Sequence, residues 1–299
     1  MNALDHRLNA YSAALADGRL RDKVTAAAYT EGAVRQVTAA VAPMHRQAGG
    51  DAAIESQVLF GETVRVFDES DGWAWCQLET DGYVGFVPRS ALGPDGEPAT
   101  HRVAALLTPL YPEAELRRPP LKMLSIGSRV TITGTASVRD LDYALLADGS
   151  AVAAGHLLPL GETIGADYVS VAEGFSGLPY LWAGRSGSGV DCSGLVQLAR
   201  MMTGSCPLRD SDMQEKTLGT ALDISRGLPP LIRSDLVFWQ GHVGIMSDSD
   251  TLLHASGRAM SVVKDPVGEV VARLESRNLP VTSIRRFSDC TAPGLRWGR

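Results

Sequence analysis

From Gly61 to Leu92 the chain alternates apolar and polar residues in short runs, "GETVRVFDESDGWAWCQLETDGYVGFVPRSAL", broken by Asp71-Gly72 and Asp81-Gly82. A period of two is the pattern of a half-buried strand, and Asp-Gly supplies the backbone freedom of a tight hairpin turn. A fainter copy follows, in which Gly61-x-x-Val64-x-Val66 returns as Gly127-x-x-Val130-x-Ile132 and Asp81-Gly82 returns as Asp148-Gly149. Two units of about five short strands each predict a pair of small β-barrels, here taken as residues 34–98 and 99–160. Ahead of them Leu4, Leu8, Tyr11 and Leu15 fall at helical spacing. That run is short and polar, so residues 1–33 are read as an extension packed on the first barrel.

From Gly161 to the end at 299 the pattern changes to mixed helix and strand, an α+β order. In "GSGVDCSGLVQLARMMTG" the apolar residues Leu195, Val196, Ala199 and Met202 share one helical face, and Gly204 is a C-terminal stop. Cys192 then stands at the helix N-terminus, where unpaired N–H groups and the helix dipole favour a thiolate. On the helix alone, a buried structural cysteine is an equal reading.

Two histidines change the balance. In "GHVGIMSDSDTLLHASG" two strand-like runs, Gly241 to Met246 and Thr251 to Ala255, flank the polar turn Ser247 to Asp250. His242 and His254 are equidistant from Asp248, so an antiparallel hairpin would set them directly opposite, with Cβ atoms ~5 Å apart. One imidazole can accept the thiol proton while the other orients its ring, the logic of a nucleophile, base and orienter. His6, His45, His101 and His156 have no such arrangement and are read as surface or structural.

Composition narrows the classes. A hydrophobic fraction of 44% and a charged fraction of 21% are those of an ordinary globular protein. The net charge of −6, without a basic stripe, argues against nucleic acid as a partner. No run reaches ~18 apolar residues, and Asp5, His6 and Arg7 stand where an export signal would be apolar. The expectation is a cytoplasmic protein that does not enter a membrane. Cys76, Cys192, Cys206 and Cys290 are widely spaced, so free thiols are expected. Neither H-E-x-x-H nor closely spaced Cys/His pairs occur, so no metal is expected.

Taken in order, "LPYLWAGRSGSGVDCSGLVQ", "PLRDSDMQ", "RSDLVFWQGHVGIM" and "LLHASG" resemble the NlpC/p60 family of papain-like cysteine peptidases. The barrel pattern is similar to tandem bacterial SH3-like domains, the first copy more specifically than the second. The resemblance implies an α+β papain-like domain over residues 161–299 behind two all-β SH3-like barrels. It further implies Cys192 as nucleophile, His242 as general base, His254 as the polar third residue, and no cofactor. The whole arrangement resembles the γ-D-glutamyl-L-diamino acid endopeptidases of murein recycling. These act on short peptides with a free N-terminal L-Ala, L-Ala-γ-D-Glu followed by diaminopimelate or lysine.

By motif position, Tyr180 and Trp182 would line the site, Tyr180 near the oxyanion. Asp191 and Ser193 would contact the peptide, Asp191 being a fit partner for its ammonium group. Arg209, Asp210 and Ser211 would form the far wall, Arg209 meeting a carboxylate. Tyr83 and Glu55 of the first barrel would close over the L-Ala amine. One departure is Trp182-Ala183-Gly184, where the family often has Trp-Gly-Gly. Two other readings of these residues are an inert binder of cell-wall peptides and an amidase or acyltransferase of the same superfamily. The sequence carries no reading of the oligomeric state.

Overall fold

The computed structural model describes residues 4–287, so Cys290 lies outside the described residues. The chain divides into two compact units, Met1–Leu160 and Gly161–Arg299.

The alternating pattern of the first unit becomes a seven-stranded antiparallel sheet. Its order is Ile54–Leu59, Val41–His45, Val84–Pro88, Trp73–Leu78, Thr63–Ser70, Ala33–Val37 and Leu92–Gly93. Asp71 and Gly72 turn between two of these strands with φ of 49° and 81°, and Ser70 pairs with Trp73, the geometry expected of an Asp-Gly hairpin. The second copy is all-β too, with a core of Val103, Leu110, Leu124, Val130 and Val152. Its turns repeat those of the first: the Asp81 carboxylate accepts the Tyr83 N–H and the Asp148 carboxylate accepts the Ser150 N–H, each at 3.0 Å. Likewise Gly61 and Gly127 hold φ of 74° and 86° and donate to the Val37 and Val103 carbonyls.

The helical spacing near the N-terminus does not produce a helix. Instead Leu15–Asp17 pairs in parallel with Ala28–Thr30, followed by a single 3-10 turn over Gly18–Leu20. The reason is competition for carbonyls: that of Arg7 accepts from the Val84 N–H and that of Leu8 from Gln77 Nε2. Those oxygens are what a helix would need for its own i→i+4 ladder.

The second unit is built on a six-stranded antiparallel sheet in the order Thr220–Ala221, Val281–Arg286, Leu236–Trp239, His242–Met246, Thr251–Ser256 and Ser261–Pro266. Its helices are α1 (Tyr168–Glu173), α2 (Cys192–Met202), α3 (Ser211–Thr217) and α4 (Val267–Glu275). One core joins Val237, Trp239, Met246, Leu252 and Ile284 of the sheet to Val270 of α4. Helix α2 packs on α1, on α3 and on the strands that carry His242 and His254. Every α2 residue but Arg200 is therefore buried, where the pattern predicted one apolar face. Among the described residues no helix is long and apolar enough to cross a membrane.

The repeat geometry makes Gly61 a sensitive position. A Cβ there would lie 1.9 Å from the Arg129 carbonyl oxygen, and the φ is one that side chains rarely adopt. Gly61→Ala is expected to destabilise the N-terminal unit by about 2 kcal/mol or more. Differential scanning calorimetry checks this, and an unchanged transition would show that the Arg129 backbone yields freely.

Candidate active site

Cys192 is the first residue of α2, and the residue before it fixes how that helix begins. The Asp191 side chain accepts the Gly194 N–H at 2.7 Å, an N-cap that satisfies one of the helix's orphan donors. The same carboxylate receives Arg209 in a bidentate pair, Nη2 to Oδ2 at 2.7 Å and Nη1 to Oδ1 at 3.0 Å. Arg209 Nη1 also donates to Ser193 Oγ at 2.9 Å, and Nη2 to the Gly184 carbonyl at 3.3 Å. Asp191, Ser193 and Arg209 are all buried, Arg209 to 1% exposure. Arg209 and Asp191, assigned from the sequence to a substrate carboxylate and a substrate ammonium, are thus ionic partners of each other. The charged network around the nucleophile is internal.

Cys192 itself is 7% exposed. Its Sγ lies 3.9 Å from the Gly241 carbonyl oxygen and takes a hydrogen bond from the Val243 backbone, so it sits against the chain on both sides of His242. Burial pushes its thiol up to about 12, with Asp191 adding to the rise and Val243, Arg209 and the Ser193 amide opposing it. The helix start alone was expected to favour the thiolate; desolvation of the charged form outweighs it. At rest the sulfur keeps its proton.

Both imidazoles are neutral for the same reason. Burial draws His242 down to about 3, with smaller contributions from His254 and Arg273. Burial lowers His254 as well, against an opposing pull from Asp265. A tight turn at Gln240 and Gly241 joins Leu236–Trp239 to His242–Met246, so the His242 ring sits 5.7 Å from the buried Trp239 ring. His242 Nε2 and His254 Nδ1 are 2.8 Å apart.

The two rings meet diagonally, which corrects the expected direct opposition. The pairs are Ile245 with Leu253 and Met246 with Leu252. Carried one residue further, that register sets His254 beside Gly244. The register is shifted by two residues from that expectation, and the longer turn is held by the Asp248 carboxylate, which accepts both the Asp250 and Thr251 N–H groups, at 2.9 and 2.8 Å. Diagonal neighbours on a sheet remain within reach of long or aromatic side chains.

Around this centre, Tyr180 is half-buried, its phenol raised to about 12 by burial and then by Cys192 and Asp191, which places it beside the nucleophile. Trp182 is 68% exposed. Asp210 caps α3 and Ser211 is its first residue. Tyr83 and Glu55 lie in the other unit, on a cavity of about 410 Å³, with Tyr83 fully buried and Glu55 paired to Arg46 at 2.7 Å. Ala183 stands at φ 61° and is buried, so its methyl is tolerated in the left-handed region at a cost on the order of 1 kcal/mol.

Two glutamines went unnoticed in the sequence. Gln214 Nε2 donates to the Ser193 and Leu208 carbonyls at 3.0 and 2.9 Å, tying α3 to the start of α2. Gln197 Nε2 donates to the Pro207 carbonyl, and its Oε1 accepts from the fully buried Arg185. A polar residue inside the otherwise apolar run after Cys192 was the available signal. Among the described residues no cluster fit for a metal ion occurs.

Removing one partner of a buried ion pair strands the other, a loss of about 3–5 kcal/mol. Arg209→Met is therefore expected to destabilise the C-terminal unit by that amount in thermal unfolding. Adding Asp191→Asn, which keeps a capping oxygen, is expected to recover part of it. A silent Arg209→Met would contradict the pairing.

The matches to known proteins agree with this geometry. Residues 44–92 match the bacterial dipeptidyl-peptidase SH3 domain, and residues 177–273 match the NlpC/P60 family. The chain is 27% identical over 237 residues to the gamma-D-glutamyl-L-lysine dipeptidyl-peptidase of Bacillus cereus, covering 70% of this chain and 69% of that protein. It is likewise 27% identical over 243 residues to the Bacillus subtilis protein of that name, covering 71% and 75%. The crystal structure of an NlpC/P60 family protein from Bacillus cereus superposes with a TM-score of 0.70 at 20% identity, covering 85% of this chain and 99% of that one. With the fold, the strands of the first unit and the order of motifs in agreement, the chain carries an NlpC/P60 domain with a bacterial SH3 domain ahead of it.

Proposed function

We propose that the protein is a cysteine peptidase that cuts the γ-D-glutamyl-L-diamino acid bond of short murein peptides bearing a free N-terminal L-Ala. The observation that carries this reading is the buried thiol of Cys192 against the backbone of Gly241 and Val243, on either side of His242, whose ring is held at 2.8 Å by His254. The relatives named gamma-D-glutamyl-L-lysine dipeptidyl-peptidases support a γ-glutamyl bond to a diamino acid, here proposed to be lysine or diaminopimelate. A dipeptidyl-peptidase removes two residues from a free N-terminus. In an intact wall that L-Ala is acylated, so freed peptides are the substrate and cytoplasmic recycling is the proposed role.

The chemistry follows from the resting protonation. His242 takes the thiol proton as Sγ attacks the γ-glutamyl carbonyl carbon, so the ion pair forms only as the reaction proceeds. Backbone N–H groups at the start of α2 receive the oxyanion, with the Tyr180 hydroxyl beside them. The tetrahedral intermediate expels the diamino acid amine, which takes its proton from His242. Water, deprotonated by His242, then splits the thioester and releases L-Ala-D-Glu. Trp182, Asp210 and Ser211 bound the peptide side of the site.

Mass spectrometry of L-Ala-γ-D-Glu-diaminopimelate and its lysine counterpart, each beside its N-acetylated form, tests the reading. Release of L-Ala-D-Glu from the free-amine peptides by wild type and not by Cys192→Ala is expected. Cleavage of the acetylated peptides at an equal rate would refute amine selection. No cleavage of any peptide, or a different amide cut, would favour the inert or amidase readings.

A further inference from the structure

His254 does not end the line of hydrogen bonds. Its Nε2 faces Asp265 Oδ2 at 3.3 Å across the neighbouring strand. The register pairs His254 with Val263, so Asp265, two residues on, projects from the same face as His254. His242, His254 and Asp265 thus step diagonally over three consecutive strands. The groups facing His254 are His242 from the preceding strand, Asp265 from the following one, and Arg273 of α4, whose Nη2 is 4.0 Å from the same Asp265 oxygen. The adjacent Lys264 is paired elsewhere, to Glu173 at 2.8 Å.

We propose that Asp265 is a positioning residue that fixes which nitrogen of each imidazole carries a proton, and so which one can act as base. A carboxylate only accepts, so His254 Nε2 must hold a hydrogen. A neutral His254 then presents a bare Nδ1, and at 2.8 Å this must accept the hydrogen on His242 Nε2. The lone pair of a neutral His242 is left on Nδ1, the ring nitrogen nearer its backbone, and Sγ lies against that stretch of backbone, 3.9 Å from the carbonyl oxygen of the preceding Gly241. Reverse any one hydrogen and His242 offers an N–H to the thiol in place of a base. When Sγ gives its proton to Nδ1, the imidazolium is still donating from Nε2, and the positive charge faces a line that ends in a carboxylate.

This inference rests on the Cys192, His242 and His254 reading, and the test separates the two. Alkylation of Cys192 by iodoacetamide is followed by peptide mass mapping in the full chain across pH, which distinguishes it from the other cysteines and needs no substrate. In parallel, kcat and KM are measured on the free-amine peptide. Asp265→Ala is expected to slow alkylation at neutral pH by about tenfold or more, by comparison with the loss of a carboxylate that orients a metal-ligating imidazole. The gap should close toward alkaline pH, where hydroxide removes the thiol proton. kcat should fall by a similar factor with KM little changed, and Asp265→Glu should restore part of both.

Wild-type alkylation in Asp265→Ala, with His242→Ala slow, would overturn the role of Asp265 and leave the three-residue site standing. Faster alkylation in Asp265→Ala, from a loosened and exposed thiol, would make the residue structural and overturn the proposal too. If His242→Ala alkylates like wild type, the three-residue reading fails and the inference falls with it.

Discussion

Burial disfavours the charged forms of the thiol and the two imidazoles at the centre of the C-terminal unit, and the unit is organised around that constraint. Desolvation holds Cys192 protonated and both histidines neutral. A neutral imidazole is a donor at one nitrogen and an acceptor at the other, so its usefulness as a base depends on which way round it is fixed. The 2.8 Å contact between His242 and His254 therefore decides more than ring position. It makes the proton order of one ring dictate that of the next. The buried Trp239 packs against the His242 ring at 5.7 Å between centroids.

The nucleophile's side is held by a different device. Asp191 caps α2, accepts the Arg209 guanidinium through both oxygens and takes the Ser193 hydroxyl, so one carboxylate orients three groups around Cys192. A buried carboxylate raises the cost of a nearby thiolate, and the buried guanidinium offsets it. The pair fixes the start of the helix without leaving a net charge next to the sulfur. Gln214 and Gln197 extend the same scaffold by claiming carbonyls of the segments that meet α2. The sheet supplies the histidines, the helix supplies the cysteine, and the packing of α2 on the two histidine strands brings them together.

Much of this was legible in the residues. The hairpin at Asp71-Gly72, the repeat of Gly61 at Gly127 and the helix after Cys192 follow from local rules, since a period of two, an Asp-Gly turn and a glycine stop act over a few residues. What failed was tertiary. Leu4, Leu8, Tyr11 and Leu15 kept a helical spacing, but the barrel took the carbonyls a helix needs. The histidine hairpin was foreseen, yet its register was off by two residues because side-chain capping by Asp248 lengthened the turn. Arg209 and Asp191 were visible as charges; no local pattern says that two charges 18 residues apart will bury against each other. Asp265 was silent for the same reason, since it joins the site only through a strand pairing.

The claim on which the account stands is that His242 rests as a neutral ring with its hydrogen on Nε2 and its lone pair on Nδ1. Two-bond proton–nitrogen correlation NMR on histidine-labelled protein reads the tautomer of each ring directly, with His242→Ala assigning the signal. The account predicts the Nε2–H form for both His242 and His254 at neutral pH, with that of His242 unchanged down to about pH 4. An Nδ1–H tautomer of His242, or an imidazolium there at neutral pH, would contradict it.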